Sequence, residues 1–269
     1  MAVLDLPATP LPLIFGPLDP SGASNLPADA VICAQLGTHA ASVVTAIHVQ
    51  DTTGVESIQR LSPELVDDQA RCLLEDMAIG ALKIGPQYDP ETISVLAQIT
   101  ADYSALPLVL QLSNPPPVPD VETLDAEETV SALVELLVPQ ALMAVVDAGL
   151  LELWAGQGLL SSSRASSPIE ALHDFGVSHV LCSNAALSPE LNGITLYSRG
   201  QPSRRWPWAA PSVRVSDAEG LLATILTCLL ARGEDPQAAA RQAVTASGAM
   251  LSRHFHPGMG QRILLHTTP

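Results

Sequence analysis

The chain has 269 residues, 47% hydrophobic and 15% charged, which is enough apolar side chain for one sizeable core and too much for a disordered polymer. It carries 28 acidic residues against 12 basic ones, a net charge of −16, and such a surface repels phosphate backbones and argues against a nucleic-acid partner. The longest uncharged apolar run, Leu136 to Val146, contains Pro139 and Gln140 and falls far short of the roughly 20 residues of a membrane-spanning helix, so no membrane partner is expected.

Leu11 to Phe15 is a short apolar run ending at Gly16, the pattern of a buried strand leading into a loop. Ser24-Asn25 with Pro27 signals a helix running to about Gly37. Ala41 to Val49, apolar and β-branched, reads as a second buried strand. Ser62-Pro63 opens a helix with Leu65, Val66, Gln69, Cys72, Leu73 and Met77 near helical spacing. Ala81 to Ile84 is a strand, Asp89-Pro90 opens the next helix, and Leu108 to Leu112 is a strand again. Asn114 to Pro119, with four prolines, is an extended loop. A helix around Asp125 to Leu137, a strand around Ala141 to Val146 and a helix near Leu150 continue the alternation. Ser161 to Ser167 reads as a loop, Ser178 to Cys182 and Gly193 to Tyr197 as strands, and Asp217 to Arg232 and Asp235 to Met250 as closing helices.

Strands alternating with helices predict a parallel sheet covered on both faces. With no internal repeat and no linker, residues 1–269 read as a single domain. In such sheets ligands sit outside the carboxyl ends of the strands, where Gly16, Gln50, Gly85 and the loop after Leu112 converge. Met1 to Gly16 has no basic residue and no small-residue cleavage site, so no signal peptide is expected. Cys33, Cys72, Cys182 and Cys228 lie far apart without a CxxC pair and are expected to be buried, reduced thiols of a cytoplasmic protein. His254-x-His256 has no acidic or cysteine neighbour, so no metal site is assigned.

Gly16-Pro17-Leu18-Asp19-Pro20-Ser21-Gly22-Ala23 is followed by Asp29, by His39 to Ala46, by Gln50-Asp51-Thr52 and by Lys83-Ile84-Gly85. This block resembles the start of the hydroxymethylpyrimidine/phosphomethylpyrimidine kinases of thiamine biosynthesis, members of the ribokinase-like group. Leu196-Tyr197-Ser198-Arg199 and Pro257-Gly258-Met259-Gly260-Gln261 extend the likeness more loosely. The resemblance implies a three-layer α/β/α ribokinase-like fold with a mostly parallel central sheet, a homodimer, and a small pyrimidine ligand, hydroxymethylpyrimidine or its phosphate. It implies substrate contacts from Gly16, Asp29, Gln50 and the backbone near His48. An amide offers a donor and an acceptor together, which suits the nitrogen-bearing edge of a pyrimidine. Asp29 also reads as a helix-face carboxylate. Pro86 stands where the family has a methionine, which suggests an altered ligand.

Where the family carries a Gly-Thr/Ser-Gly-Cys turn opening a late helix, this chain reads Asp217-Ala218-Glu219-Gly220. That turn would cradle phosphate with backbone N–H groups, and here two carboxylates enter a site meant for anions. Gln111, Val145-Val146-Asp147, Leu150 and Ser183-Asn184-Ala185-Ala186 likewise replace family residues near the nucleotide. Arg199, Arg204 and Arg205 read as a solvated basic patch with Trp206 and Trp208, phosphate binding being the rival reading. No catalytic residue is assigned. The expected function is binding of a hydroxymethylpyrimidine-like ligand with weak or no kinase activity. The alternatives are an active kinase using Mg-ATP through a rearranged phosphate site and a non-catalytic protein-interaction partner.

Overall fold

The computed structural model describes residues 9–116, 118, 123–160, 165–188, 191–208, 215 and 217–265. In chain order the first half holds β1 (Pro12–Leu18), α1 (Asn25–Gln35), β2 (Ala41–Gln50), β3 (Val55–Arg60), α2 (Pro63–Asp76), β4 (Ala81–Ile84), α3 (Pro90–Asp102), β5 (Leu108–Gln111) and α4 (Thr123–Ala132). The second half holds β6 (Met143–Asp147), α5 (Ala148–Gly156), α6 (Pro168–Phe175), β7 (His179–Ser188), β8 (Leu191–Ser198), β9 (Arg204–Pro207), α7 (Ala218–Ala231), α8 (Pro236–Leu251), β10 (His254–Phe255) and β11 (Ile263–Leu264).

Nine strands form one sheet in the order β3-β2-β1-β4-β5-β6-β7-β8-β9. The neighbours from β2 to β7 pair in parallel, and β3, β8 and β9 are antiparallel additions at the two edges. Period-2 alternation divides the core. Leu82, Ile84, Leu108, Leu110, Ala144 and Val146 face α2 to α6. Ala81, Val109, Met143 and Val145 face α1, α7 and α8. The three-layer, mostly parallel architecture matches the sequence expectation. The chain runs from β1 outward to β2 and β3, then returns to β4 on the other side of β1, which puts a topological switch point between β1 and β4.

The helices start where their caps dictate. The side chains of Ser62, Asp89, Asp147, Ser167 and Asp235 each accept a backbone N–H of the first turn. Ser24 occupies the cap position of α1 but makes no such bond; its hydroxyl donates to Asp19 and accepts Asn25 Nδ2 instead. That helix ends at Gln35, where Gly37 at φ 68° reverses the chain, rather than running on to Gly37. The helix expected over Asp125 to Leu137 starts at Thr123 and changes after Ala132 into a π turn at Leu133–Leu137 and a 3₁₀ turn at Val138–Gln140. Pro139 has no N–H with which to continue a regular helix.

Two edge strands, the small β10–β11 pair and one helix were not foreseen. In β3 only Ile58 is buried, and β9 is exposed apart from a half-buried Trp206, so neither shows apolar alternation. Helix α6, with only 8 residues, is too short for a clear helical period. Part of the Ser161 to Ser167 loop lies outside the described residues, as does part of the Asn114 to Pro119 loop. Cys72 is exposed, correcting the expectation of four buried thiols, because it sits on the solvent side of α2. The other three are buried, with Cys33 and Cys228 Sγ atoms 3.4 Å apart between α1 and α7. Among the described residues no helix is long and apolar enough to cross a membrane.

Candidate functional site

Outside the carboxyl ends of β1, β2, β4, β5 and β6 lies a cavity of about 650 Å³. Its lining includes His48, Gln50, Tyr88 and Pro86 together with Asp147, Asp217, Glu219 and Trp208. The glycine after β4 lets the strands close up at its base. Gly85 N–H donates to the Phe15 carbonyl at 2.8 Å, and a Cβ there would press on that oxygen at 3.3 Å.

Asp19, fully buried, organises the first loop. One carboxylate oxygen accepts from the Ser21 N–H and hydroxyl at 2.8 and 2.7 Å, and the other from the Ser24 N–H and hydroxyl at 2.9 and 2.8 Å. That second oxygen also accepts Gln50 Nε2 at 3.2 Å. A carboxylate only accepts, so Gln50 must turn its NH2 toward Asp19 and its Oε1 toward His48 Nδ1, 2.8 Å away. The Nδ1 of His48 therefore carries the proton, and its Nε2 accepts the Tyr88 hydroxyl at 3.0 Å. The result is a directed chain from Tyr88 through His48 and Gln50 to Asp19. Burial supports its first two members: it holds His48 below its ordinary pKa, and therefore neutral, and pushes the Tyr88 hydroxyl up so that it keeps its proton. After these bonds Gln50 retains one N–H and one lone pair for a ligand.

This arrangement has a pH consequence. An unfolded His48 takes up a proton below about pH 6.5, whereas the folded site resists it. Stability therefore falls as pH drops from about 6.5 toward the folded pKa. His48→Gln is expected to reduce the slope of unfolding free energy against pH between about 7 and 5 by up to one proton. Some slope should remain, because burial also lowers His179. Urea denaturation midpoints across that range give the comparison, and equal slopes in the two proteins would exclude a neutral His48.

At the start of α7, Asp217 adopts a left-handed backbone (φ 51°) and caps the helix. Its carboxylate accepts the Gly220 N–H at 2.9 Å, Gln111 Nε2 at 2.9 Å and the Asn25 N–H at 3.3 Å, tying α7 to β5 and α1. A Cβ on Gly220 would collide with that carboxylate. Glu219 accepts the Ser183 hydroxyl at 2.6 Å, and burial raises its carboxyl pKa, with Asp217 and Asp147 adding to the effect. Asp147 caps α5 and accepts Asn184 Nδ2. No lysine or arginine is among the described residues lining the cavity.

Of the residues singled out in the sequence, His48, Gln50, Asp217, Ala218 and Glu219 line the cavity together. Gly16 lies behind the wall, facing Leu26. Asp29 also lies behind it, with both oxygens on Lys83 Nζ at 2.7 and 2.8 Å and one accepting the Thr224 hydroxyl. Gly220 contributes backbone to the start of α7. Arg204 and Arg205 are exposed on β9, whereas Trp208, grouped with them in sequence, is buried against the cavity. His256 Nε2 faces the Gly260 carbonyl, and His254 Nδ1 faces Arg262, a cation. Sequence reasoning missed Tyr88, three residues beyond Gly85, and Asn25. A buried tyrosine has no local pattern that distinguishes a cavity hydroxyl from core.

A sequence model of phosphomethylpyrimidine kinase matches residues 19–264. The chain belongs to the phosphomethylpyrimidine kinase family. It is 24% identical over 219 residues to the chloroplastic thiamine biosynthetic bifunctional enzyme TH1 of Arabidopsis thaliana, covering 79% of this chain but only 40% of that one. It is 27% identical over 231 residues to the hydroxymethylpyrimidine/phosphomethylpyrimidine kinase of Rhizobium meliloti, covering 84% of each. The fold is shared with the pyridoxal kinase of Bacillus subtilis, solved as an ADP complex, at a TM-score of 0.81 and 17% identity over 96% of this chain and 98% of that one. The protein thus has the ribokinase-like fold of the vitamin kinases.

Proposed function

We propose that this family member binds a hydroxymethylpyrimidine-like ligand in the cavity and transfers phosphate weakly or not at all. The ligand edge pairs with the free N–H and lone pair of Gln50, beside the neutral His48. The observation that carries the second half is the Asp217 carboxylate seated on the first turn of α7. A family turn would offer its N–H groups to phosphate there, and here an internal anion already takes the Gly220 N–H. A phosphate about 4 Å from Asp217 would be repelled by roughly 4 kcal/mol per unit charge at an effective dielectric near 20. No lysine or arginine among the described lining residues offsets this. The residues present therefore do not fit Mg-ATP.

Two measurements test the proposal. Gln50→Ala is expected to abolish thermal stabilisation by hydroxymethylpyrimidine, and unchanged binding would remove Gln50 from the site. ADP release from Mg-ATP with hydroxymethylpyrimidine or its monophosphate is expected to stay at background. Substrate-dependent turnover would make the protein an active kinase and the reading of the α7 turn wrong.

A further inference from the structure

We propose that Asp19 is a positioning residue for the ligand. By claiming the NH2 of Gln50 it fixes which way round that amide faces the cavity, and so restricts the site to a ligand edge with a ring acceptor beside an exocyclic donor, as in an aminopyrimidine. This deepens the reading above and rests on it. Asp19 is fully buried and is not among the described residues lining the cavity, so it reaches a ligand only through Gln50, which does line it.

A glutamine amide turns about its last torsion between two nearly equivalent orientations. A free one can therefore serve an edge of either order by turning over. Here the surroundings remove that freedom. Each Asp19 oxygen faces a backbone N–H, that of Ser21 at 2.8 Å or that of Ser24 at 2.9 Å, and an N–H only donates. The oxygen that meets Gln50 is thereby held as an acceptor, and Nε2 is the group that satisfies it, at 3.2 Å. On the other side His48 Nδ1, 2.8 Å from Oε1, must donate, and its Nε2 then accepts the Tyr88 hydroxyl. Turning the amide over would set Oε1 against a carboxylate oxygen and the NH2 against the His48 N–H. Both contacts are repulsive, and neither Asp19 nor His48 is exposed enough for water to replace the lost partner.

An aminopyrimidine offers a ring nitrogen to the remaining Gln50 N–H and an amino hydrogen to the remaining lone pair of Oε1. The corresponding oxo compound carries a ring N–H beside a carbonyl, the reverse order. In the same pose it sets donor against donor and acceptor against acceptor, and the fixed amide cannot turn to meet it.

The test uses isothermal titration of the full chain with two probes. These are hydroxymethylpyrimidine, whose amino group lies beside a ring nitrogen, and its analogue with oxo in place of amino. The unaltered protein is expected to prefer hydroxymethylpyrimidine by about 10–100-fold, the discrimination of a bidentate amide–base pair. Asp19→Ala releases Gln50 and is expected to bring the two affinities within about threefold of each other. Ser21→Ala takes a hydroxyl from the other Asp19 oxygen, loosening the same loop without touching Gln50, and is expected to keep the original ratio. A merely structural Asp19 would weaken both probes alike and leave the ratio unchanged. Nitrogen NMR of His48 needs no variant: the proton is expected on Nδ1, the minor form of a free neutral imidazole.

If hydroxymethylpyrimidine binds and the oxo analogue binds as well, the amide is not fixed; the inference is overturned and the pyrimidine reading survives. A folded Asp19→Ala that keeps the ratio removes Asp19 from the role. A neutral His48 carrying its proton on Nε2 would break the chain that sets the amide. If Asp19→Ala does not fold, the ratio in the unaltered protein and the His48 signal decide. If neither probe binds, the pyrimidine reading fails and this inference with it.

Discussion

Replacing Lys83 by methionine is expected to cost about 3–5 kcal/mol of folding stability, read as a fall in the urea midpoint. Lys83 sits on β4 with a side chain 1% exposed, and its ammonium touches both oxygens of Asp29, itself 4% exposed, and the Thr224 hydroxyl at 2.9 Å. It joins β4, α1 and α7 beneath the cavity. Methionine fills the stem but leaves the Asp29 carboxylate in an apolar site with only the Thr224 hydroxyl. Burial already pushes Asp29 up, opposed by Lys83, so without the ammonium the carboxyl takes a proton instead of ionising. A raised carboxyl contributes stability at low pH that is lost as pH rises, so the penalty should shrink as pH is lowered from about 7 toward 5. The double variant Lys83→Met with Asp29→Leu removes both charges and is expected to recover most of the loss. A double variant no better than the single one would show that the ion pair is not what Lys83 supplies.

The second large effect lies at the start of α7, where two residues are expected to be non-additive. Gly220→Cys alone puts a Cβ into the Asp217 carboxylate, so the cap must leave or the helix must shift. The expected loss is about 1–3 kcal/mol, the usual range for overpacking. Asp217→Gly alone loses a cap worth about 1 kcal/mol but gives the left-handed backbone at φ 51° to a residue that adopts it freely. It also leaves Gln111 Nε2 and the Asn25 N–H without their acceptor, so the net change should be a loss of about 1–3 kcal/mol. Together the substitutions should be less damaging than their sum, by about 1 kcal/mol or more of coupling in a double-mutant cycle. Adding Glu219→Gly rebuilds a glycine turn ending in cysteine, with the helix N–H groups free. Mg-ATP affinity is then expected to rise about tenfold or more. Additive stabilities would overturn the steric account of Gly220. Coupled stabilities with flat ATP affinity would show that the carboxylates are not what excludes the nucleotide.

Much of the fold was legible because its signals are local. Buried parallel strands are short apolar runs, and Ser-Pro and Asp-Pro pairs mark helix starts whose caps are made by those same side chains. The edge strands β3 and β9 were not legible, because a strand exposed on one face and rich in charge looks like a loop. The site divided in the same way. Gln50, His48 and the Asp217 turn stood out through motif and spacing and do line one cavity. Asp29 stood out equally and lies behind it, because the only lysine of the chain folds back onto it from another strand. Nothing in a linear motif says which of two nearby carboxylates will meet a buried ammonium.

The sequence by itself determined the family, the alternation of strands and helices, and the presence of Asp217 and Glu219 at the start of a late helix. Those are properties of residue type and spacing. Only the tertiary structure decided what the carboxylates do. Asp217 closes on Gly220, Gln111 and Asn25 because α7, β5 and α1 meet at one point, and Tyr88 reaches His48 across 40 residues. Hydrogen-bond direction and burial depend on which groups the fold brings within 3 Å or so of one another, and sequence distance carries no such information.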